Sequence, residues 1–369
     1  MGLYLYYPTL PNYIKTQTSD LAMVGTVLSM YGLWQAIIRL PVGIAEDWVG
    51  RRKPFLIGGL ALVGIGAFVL GTAGSVHAMV VGRAITGMAA ATWVPLVVLF
   101  SSLFPREEAV RATGILTVVG SASRMLANSL TGFINQASHG YAMAFFLAAL
   151  MAAIAILLTL PTPDHRRPPV KATPSSFWRI LRNRSVLVPT LLNTVAQHAT
   201  WATVSSFIFV QAKNFGASDV SQSLLATLNA AIYTVGNLLA TLIIRRTGTR
   251  SLVLVSFILL AAGIGLAAVA PSMPLIFTAT FIIGLASGVN YPILMGMSIE
   301  QVPDSERNTA MGLHQSIYGI GMFSGPWLGG LLAEHLGGIQ PMFAITAAGT
   351  LVLGLAGTIF LRPKPVKGI

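Results

Sequence analysis

The chain has 369 residues, of which 54% are hydrophobic and only 9% charged, and a formal net charge of +12. A soluble domain carries about 25% charged residues, so the composition excludes an ordinary soluble enzyme and points to a polytopic membrane protein. The positive balance does not mark a nucleic-acid binder. Eighteen of the 23 lysines and arginines fall in loops on one side of the apolar segments, Lys15 and Lys213 on the other, and Arg39, Arg83 and Arg124 within them. That is the positive-inside bias of a multi-pass plasma- or inner-membrane protein. With no cysteine there is no disulfide and no thiolate metal site, and the first residues lack the basic n-region of a cleavable signal.

In chain order, Met1–Leu10 is apolar and aromatic and is broken by Pro11 and Asn12. It supplies about half of the roughly 20 residues a spanning helix needs, or else a re-entrant or interfacial segment. Two full-length runs follow, Leu21–Val42 and Pro54–Ala73, joined by Gly43–Lys53, which reads G-I-A-E-D-W-V-G-R-R-K. So short a connector makes the two helices antiparallel neighbours. Arg51, Arg52 and Lys53 are too costly to place in lipid and put it on the cytoplasmic side. Gly43 and Gly50 allow close approach and a tight bend. The carboxylates Glu46 and Asp47 suit an ion pair or a helix-end contact. Further apolar spans are predicted at 78–100, 110–134, 140–160, 186–210, 219–244, 251–270, 274–299, 309–334 and 339–361, twelve in all with the partial first. Basic and charge-poor loops alternate along them, which places the C-terminus on the cytoplasmic side.

The long connector Pro161–Ser185 divides the chain into a bundle at 1–160, a linker at 161–185 and a bundle at 186–369. Within it, Ser176–Arg184 sets Phe177, Ile180 and Leu181 on one face, with Arg179 and Arg182 elsewhere. That predicts a short amphipathic helix on the lipid surface, a plain solvated linker being the alternative. The bundles repeat. A shift of 197 or 198 residues aligns Gly50 with Gly248, Arg52 with Arg250, Gly87 with Gly284, Pro95 with Pro292, Pro105 with Pro303, Gly114 with Gly312 and Gly132 with Gly330. Parallel repeats about an axis along the membrane normal are a transporter arrangement, with substrate bound at the midplane between them.

The spacing G-x-x-x-D-x-x-G-R-R, carried by Gly43, Asp47, Gly50, Arg51 and Arg52, resembles the loop between helices 2 and 3 of the major facilitator superfamily of secondary transporters. It departs at Trp48, where the family usually has Arg or Lys. Arg83-x-x-x-Gly87-x-x-x-Ala91 in the fourth span resembles a second family signature. Gly321, Gly325, Pro326, Gly329 and Gly330 in the eleventh form G-x-x-x-G-P-x-x-G-G. In the fifth span that form resembles the drug:proton antiporters, but here the repeat places Ala127, Asn128, Thr131 and Gly132 at its last four positions. The eleventh-span copy is read as a packing and kink motif. The resemblance implies an all-α fold of two pseudo-symmetric six-helix bundles, with eleven full transmembrane helices and a partial first, since the family has a complete helix 1 where this chain begins part-way. It also implies that the Asp47 position stabilises one conformational state as a latch, with Arg51 and Arg52. Asp47→Asn is therefore expected to lower transport while folded protein stays in the membrane; unchanged transport would remove the latch role.

Arginine at the bilayer centre costs about 2.5–3.5 kcal/mol on insertion scales and is rarely without a purpose. Arg124 lies mid-span with Thr117, Ser121 and Asn128 on the same helical face, where it either lines a central cavity and meets an anionic or carbonyl group of substrate, or makes a structural bond. For Arg83 the resemblance implies a role in coupling or in bonding helix 1, a purely structural role being the alternative, and Arg39 is near enough to a helix end to snorkel. Polar stripes run through Tyr31 and Gln35, through Asn193, Gln197 and Trp201, through Asn229 and Tyr233, and through His314 and Tyr318. They suit a water-filled cavity or interhelical hydrogen bonds worth about 0.6 kcal/mol each. His198 could titrate near neutral pH, although a lone histidine is more often simply hydrogen-bonded.

No carboxylate falls mid-span: Asp20, Asp219 and Glu334 sit toward the outer ends, Glu300 and Glu306 toward the cytoplasmic ends. With no G-x-x-x-x-G-K-[ST], H-E-x-x-H or G-x-S-x-G, neither an ATP-driven pump nor a common hydrolase is indicated. The expectation is a non-enzymatic, monomeric carrier in contact with membrane lipids, without metal or cofactor, the resemblance implying a proton as coupling ion. Its predicted task is efflux of small amphipathic compounds by alternating access. Uptake or exchange of an organic anion through Arg124 is the alternative, and a non-transporting membrane sensor a remote one.

Overall fold

The computed structural model describes residues 1–90, 92–101, 103–105, 108–164, 174–303 and 306–361. Among them there are helices and no strand. Eight helices are long and apolar enough to cross a membrane by length and composition. Of the other long ones, α6 (Ala109–Ser138) and α14 (Arg307–His335) carry the polar stripes that lower their hydropathy.

Residues 2–9 form turns, and helix α1 then runs over Leu10–Lys15. Pro11 thus starts a helix where the sequence suggested a break, because proline lacks only an N–H that the first turn does not use. Helix α2 spans Leu21–Val49, capped by the Asp20 carboxylate, which accepts from Ala22 N at 2.7 Å and Met23 N at 3.2 Å. It continues past Val42, so Gly43 and Asp47 lie inside the helix rather than in a loop. The turn into α3 (Lys53–Gly71) is made by Gly50 at φ 66°, a left-handed conformation that favours glycine. A Cβ on Gly43 would meet nothing within 4 Å, so that glycine serves no close approach here. The fourth span, Val76–Ser101, carries α4 (Val76–Ala90) and α5 (Trp93–Ser101) on either side of the undescribed residue 91. Helix α7 covers Ala142–Thr159. The linker helix α8 (Pro174–Arg182) buries Ile180 against Val186, Val302, Ala310 and Leu313, and Arg179 pairs with Glu306. It is docked on the second bundle, with Trp178 exposed.

In the second half of the chain, α9 (Arg184–Ala202) and α10 (Ile208–Asn214) are joined through a π-helical turn at Thr203–Phe207. Then come α11 (Asp219–Thr247), α12 (Thr249–Val269), α13 (Met273–Glu300), α14 and α15 (Ile339–Ile359). The sequence repeat reappears as equivalent contacts. A Cβ on Gly87 would stand 2.8 Å from Tyr31 Cα, and one on Gly284 3.1 Å from the side chain of Asn229, the repeat partner of Tyr31. Gly132 of α6 lies against the backbone of Asp219 at the start of α11, and Gly330 of α14 against Leu21 at the start of α2.

These last contacts close one face of the molecule, the face opposite the basic loops. There Leu21 N donates to Glu334 Oε2 at 2.8 Å, Gly132 N to Ser223 Oγ at 2.7 Å and Asn12 Nδ2 to Gln222 Oε1 at 2.6 Å. Toward the basic side the halves part along α6. Ala127, Asn128, Thr131, Gly132 and Asn135 are buried, whereas no described residue from Gly114 to Leu126 is. Contact persists along α2 and α14, where Gly32 meets Met322 and Gly319 meets Ala36. The structure is therefore shut on one face and cleft on the basic one.

Candidate substrate cleft

The cleft is built where α2, α4 and α6 face α9, α11, α13 and α14. Tyr31 of α2 stacks on Trp201 of α9 with ring centroids 5.4 Å apart and planes 17° apart, a contact across the two halves. Arg83 of α4 is 3% exposed, and its guanidinium lies 4.4 Å from the centre of the Tyr31 ring. Arg124 of α6 lies 4.6 Å over the Tyr4 ring, with Tyr7, Tyr31 and Tyr233 within electrostatic reach. Aromatic faces attract such cations by roughly 0.5–2 kcal/mol each. The second half continues the wall as Tyr233, Tyr291 and Tyr318, with successive centroids 6.5 and 5.9 Å apart. Arg39 Nη1 donates to the Tyr318 hydroxyl at 2.9 Å, bridging α2 and α14.

Tyr4, Tyr31, Arg124, Trp201, Tyr233 and Tyr291 all keep some accessible surface deep between the halves, so space remains among them. Ring surface is shared by the two halves, but charge is not. The arginines Arg39, Arg83 and Arg124 all come from the first half, while the second offers aromatic and neutral groups. Among the described residues the carboxylates lie toward helix ends or in loops.

Several residues singled out by spacing are instead used to bond helices. His314, fully buried, has Nδ1 2.8 Å from Thr190 Oγ1 and Nε2 2.9 Å from Asn193 Nδ2. Thr190 gives its own hydrogen to Val186 O at 2.7 Å, so Nδ1 is the donor and Nε2 accepts from the amide. This is a neutral imidazole tying α9 to α14. His314→Leu would orphan the Asn193 amide, whose Oδ1 already lacks a hydrogen bond. A loss of about 1–3 kcal/mol is expected, read as a lowered Tm in detergent; an unchanged Tm would contradict it. Asn128 donates to Ala226 O at 3.4 Å and Asn229 to Thr280 O at 3.5 Å, so both amides join backbones rather than line the space. Gln35 is buried, and Gln197 sits against Gly321. His198 Nδ1 lies 2.9 Å from Ser324 Oγ.

Gly321 and Gly325 bring α14 onto the backbone of α9 at Thr194 and His198, and Gly330 and Pro326 meet α2 at Gly25. Gly329 faces Phe207. In the basic turn, Lys53 N donates to Asp164 Oδ2 at 3.1 Å and Lys53 Nζ to Thr162 O at 3.0 Å. The turn thus engages the end of α7, within its own half. Arg51 is exposed, and the side chain of Asp47 lies outside the described residues, as does Ala91. Tyr4, Tyr291, Asn12 and Asn135 were missed by spacing. Only the aromatic run at 1–10 hinted at Tyr4.

The Major Facilitator Superfamily profile matches residues 1–212 and 190–368. The chain belongs to the major facilitator superfamily. Similar members include the inner membrane transport protein YajR of Escherichia coli, 28% identical over 43% of this chain and 35% of that one. The MFS-type transporter MJ1560 of Methanocaldococcus jannaschii is 20% identical over 96% of this chain and 93% of its own length. The quinolone resistance protein NorA of Staphylococcus aureus is 22% identical over 60% and 58%. The chain thus spans well under two thirds of the length of YajR. Among solved folds, a point mutant of the nucleoside transporter NupG superposes with TM-score 0.83 at 17% identity, covering 98% of this chain and 96% of that one. The human organic anion transporter MFSD10 does so with TM-score 0.68 at 16%, covering 98% and 95%. Identities this low establish the fold alone. The protein is a multi-pass membrane member of this superfamily.

Proposed function

We propose that this superfamily member moves small amphipathic compounds out of the cell by alternating access, using the cleft between its halves. The observation that carries this reading is the pairing of a shut outer face with a parted basic side around an aromatic and cationic lining. Charge bias puts the basic side in the cytoplasm, so the cleft is open to the cell interior, the state in which an exporter takes up its solute. The similarity to NorA, named for quinolone resistance, supports the same direction. Solute would be held at the midplane while the halves rock around it. A proton is the coupling ion we assign, and no cofactor or catalytic step is needed. A monomer suffices, because both halves of the site come from one chain.

The test is counterflow in proteoliposomes preloaded with one of a panel of amphipathic fluorophores, anionic, neutral and cationic. Protein-dependent exchange of at least one class is expected. Exchange no faster than in empty liposomes for every class would overturn the reading.

A further inference from the structure

We infer that the cleft takes a flat organic anion, its charged group held by Arg124 of the first half and its ring laid against Trp201 and Tyr233 of the second. This deepens the proposed transport function and rests on the same cleft.

The argument starts from what Arg124 lacks. Arg39 has the Tyr318 hydroxyl at 2.9 Å. Arg83, whose Nε also lacks a hydrogen bond, lies against the Tyr31 ring but at 3% exposed is closed off from the cleft. Arg124 has a ring, that of Tyr4, and among the described residues no carboxylate or hydrogen-bond acceptor meets its guanidinium. A guanidinium carries five N–H donors in its plane. A ring contact attracts the charge and leaves the donors unmet. Those donors form a fork that fits carboxylate, sulfonate or phosphate oxygens. An unpaired cation this deep in a membrane protein marks a substrate path.

Among the described residues no acid competes for the fork. The chain has 11 acids, and each falls near a helix end or in a loop. A cationic solute would meet Arg124, with the buried Arg39 and Arg83 behind it and no counter-charge among the described residues. A neutral solute can accept hydrogen bonds from the fork through a carbonyl or sulfonyl oxygen but leaves its charge uncompensated. An anion alone offsets the charge.

The ring part follows from the opposite wall. Tyr31 and Trp201 already stack nearly parallel, and Tyr233 and Tyr291 present further faces. Flat aromatic surfaces stack on such walls. The anion therefore lies across the cleft, with its charge on the first half and its ring on the second. A solute so placed contacts both moving parts.

Three probes share one ring and differ in charge: naphthalene-2-sulfonate, naphthalene-2-sulfonamide and 2-naphthyltrimethylammonium. Binding is read as ligand-dependent thermal stabilisation of the purified full chain in gluconate buffer, and transport as counterflow. The sulfonate should bind at least about tenfold more tightly than the other two. Arg124→Ala should erase that preference, Arg124→Lys should keep part of it, and Trp201→Ala should weaken all three probes alike. A sulfonate affinity untouched by Arg124→Ala, or a preference for the ammonium, would overturn the proposal. So would stabilisation by chloride alone, lost in Arg124→Ala, with no discrimination among the naphthyl probes. If Arg124→Ala does not fold, the charge preference of the wild type and its change in Arg124→Lys still decide. Counterflow of only the neutral or cationic probe would sink the anion and leave the exporter standing. Charge-selective binding without any counterflow would do the reverse.

Discussion

Gly132→Leu is expected to hold the outer face open. A Cβ at this position would stand 2.5 Å from Asp219 C and from Val220 Cα, which are backbone atoms that cannot rotate away. The clash exists only while α6 and α11 are pressed together, so the substitution leaves the alternative state unstrained. Overpacking of this kind costs about 1–3 kcal/mol, enough to shift a two-state equilibrium by roughly ten- to a hundredfold. The chain has no cysteine, so a single cysteine at Ser121, on the Arg124 face of α6, reports access without background. Labelling by an impermeant maleimide from the outer side should be slow in the parent and rise by about that factor in Gly132→Leu. Equal labelling would show that this glycine contact does not gate the cleft.

Asp219→Ala should loosen the same face by a different route. Its carboxylate accepts from Asn135 Nδ2 at 3.0 Å and Gln222 Nε2 at 3.4 Å, and Lys213 Nζ lies 3.5 Å away. Asn135 belongs to α6, so the first of these bonds joins the two halves. Asn135 Nδ2 also reaches Thr9 Oγ1 at 3.0 Å, which ties the segment before α1 into the closure. Burial, and next the Asp219 charge, push the Tyr141 phenol up. Hydrogen bonds to a charged group contribute about 1.5–3 kcal/mol. Losing them should shift the equilibrium roughly tenfold or more away from the closed form. Spin labels at Gln136→Cys and Asn214→Cys would read this as a longer distance appearing beside the short one. A distribution identical to that of the parent would show that Asp219 does not hold this face shut.

The fold was legible because spans are set by length and apolarity, and the repeat by glycines that permit helix contact. Gly87 with Gly284 and Gly132 with Gly330 aligned in sequence because each pair makes the same contact in space. The ends of elements were less legible. Helix α2 runs through Gly43 to Val49 since glycine inside an otherwise apolar helix does not stop it, whereas the left-handed Gly50 does. Of the site, the arginines stood out because charge in an apolar span has no cheap explanation. The amides did not sort themselves. Asn128, Asn193 and Asn229 share stripes with cleft residues, yet each is turned to a neighbouring helix. Spacing fixes a helical face, and only packing tells whether that face meets space or another helix. Tyr4 and Tyr291 escaped because an aromatic residue in a membrane segment is ordinary until a guanidinium or a ring row is seen against it.

The most direct test of alternating access is a pair of distances in the unaltered cleft. Spin labels at Gln136→Cys and Asn214→Cys report the outer face, and labels at Gly114→Cys and Thr247→Cys report the basic face. The account predicts that conditions which lengthen the first distance shorten the second, with the short outer and long basic distances together in the form described here. Two distances that stay single-valued in every condition, or that lengthen together, would contradict it.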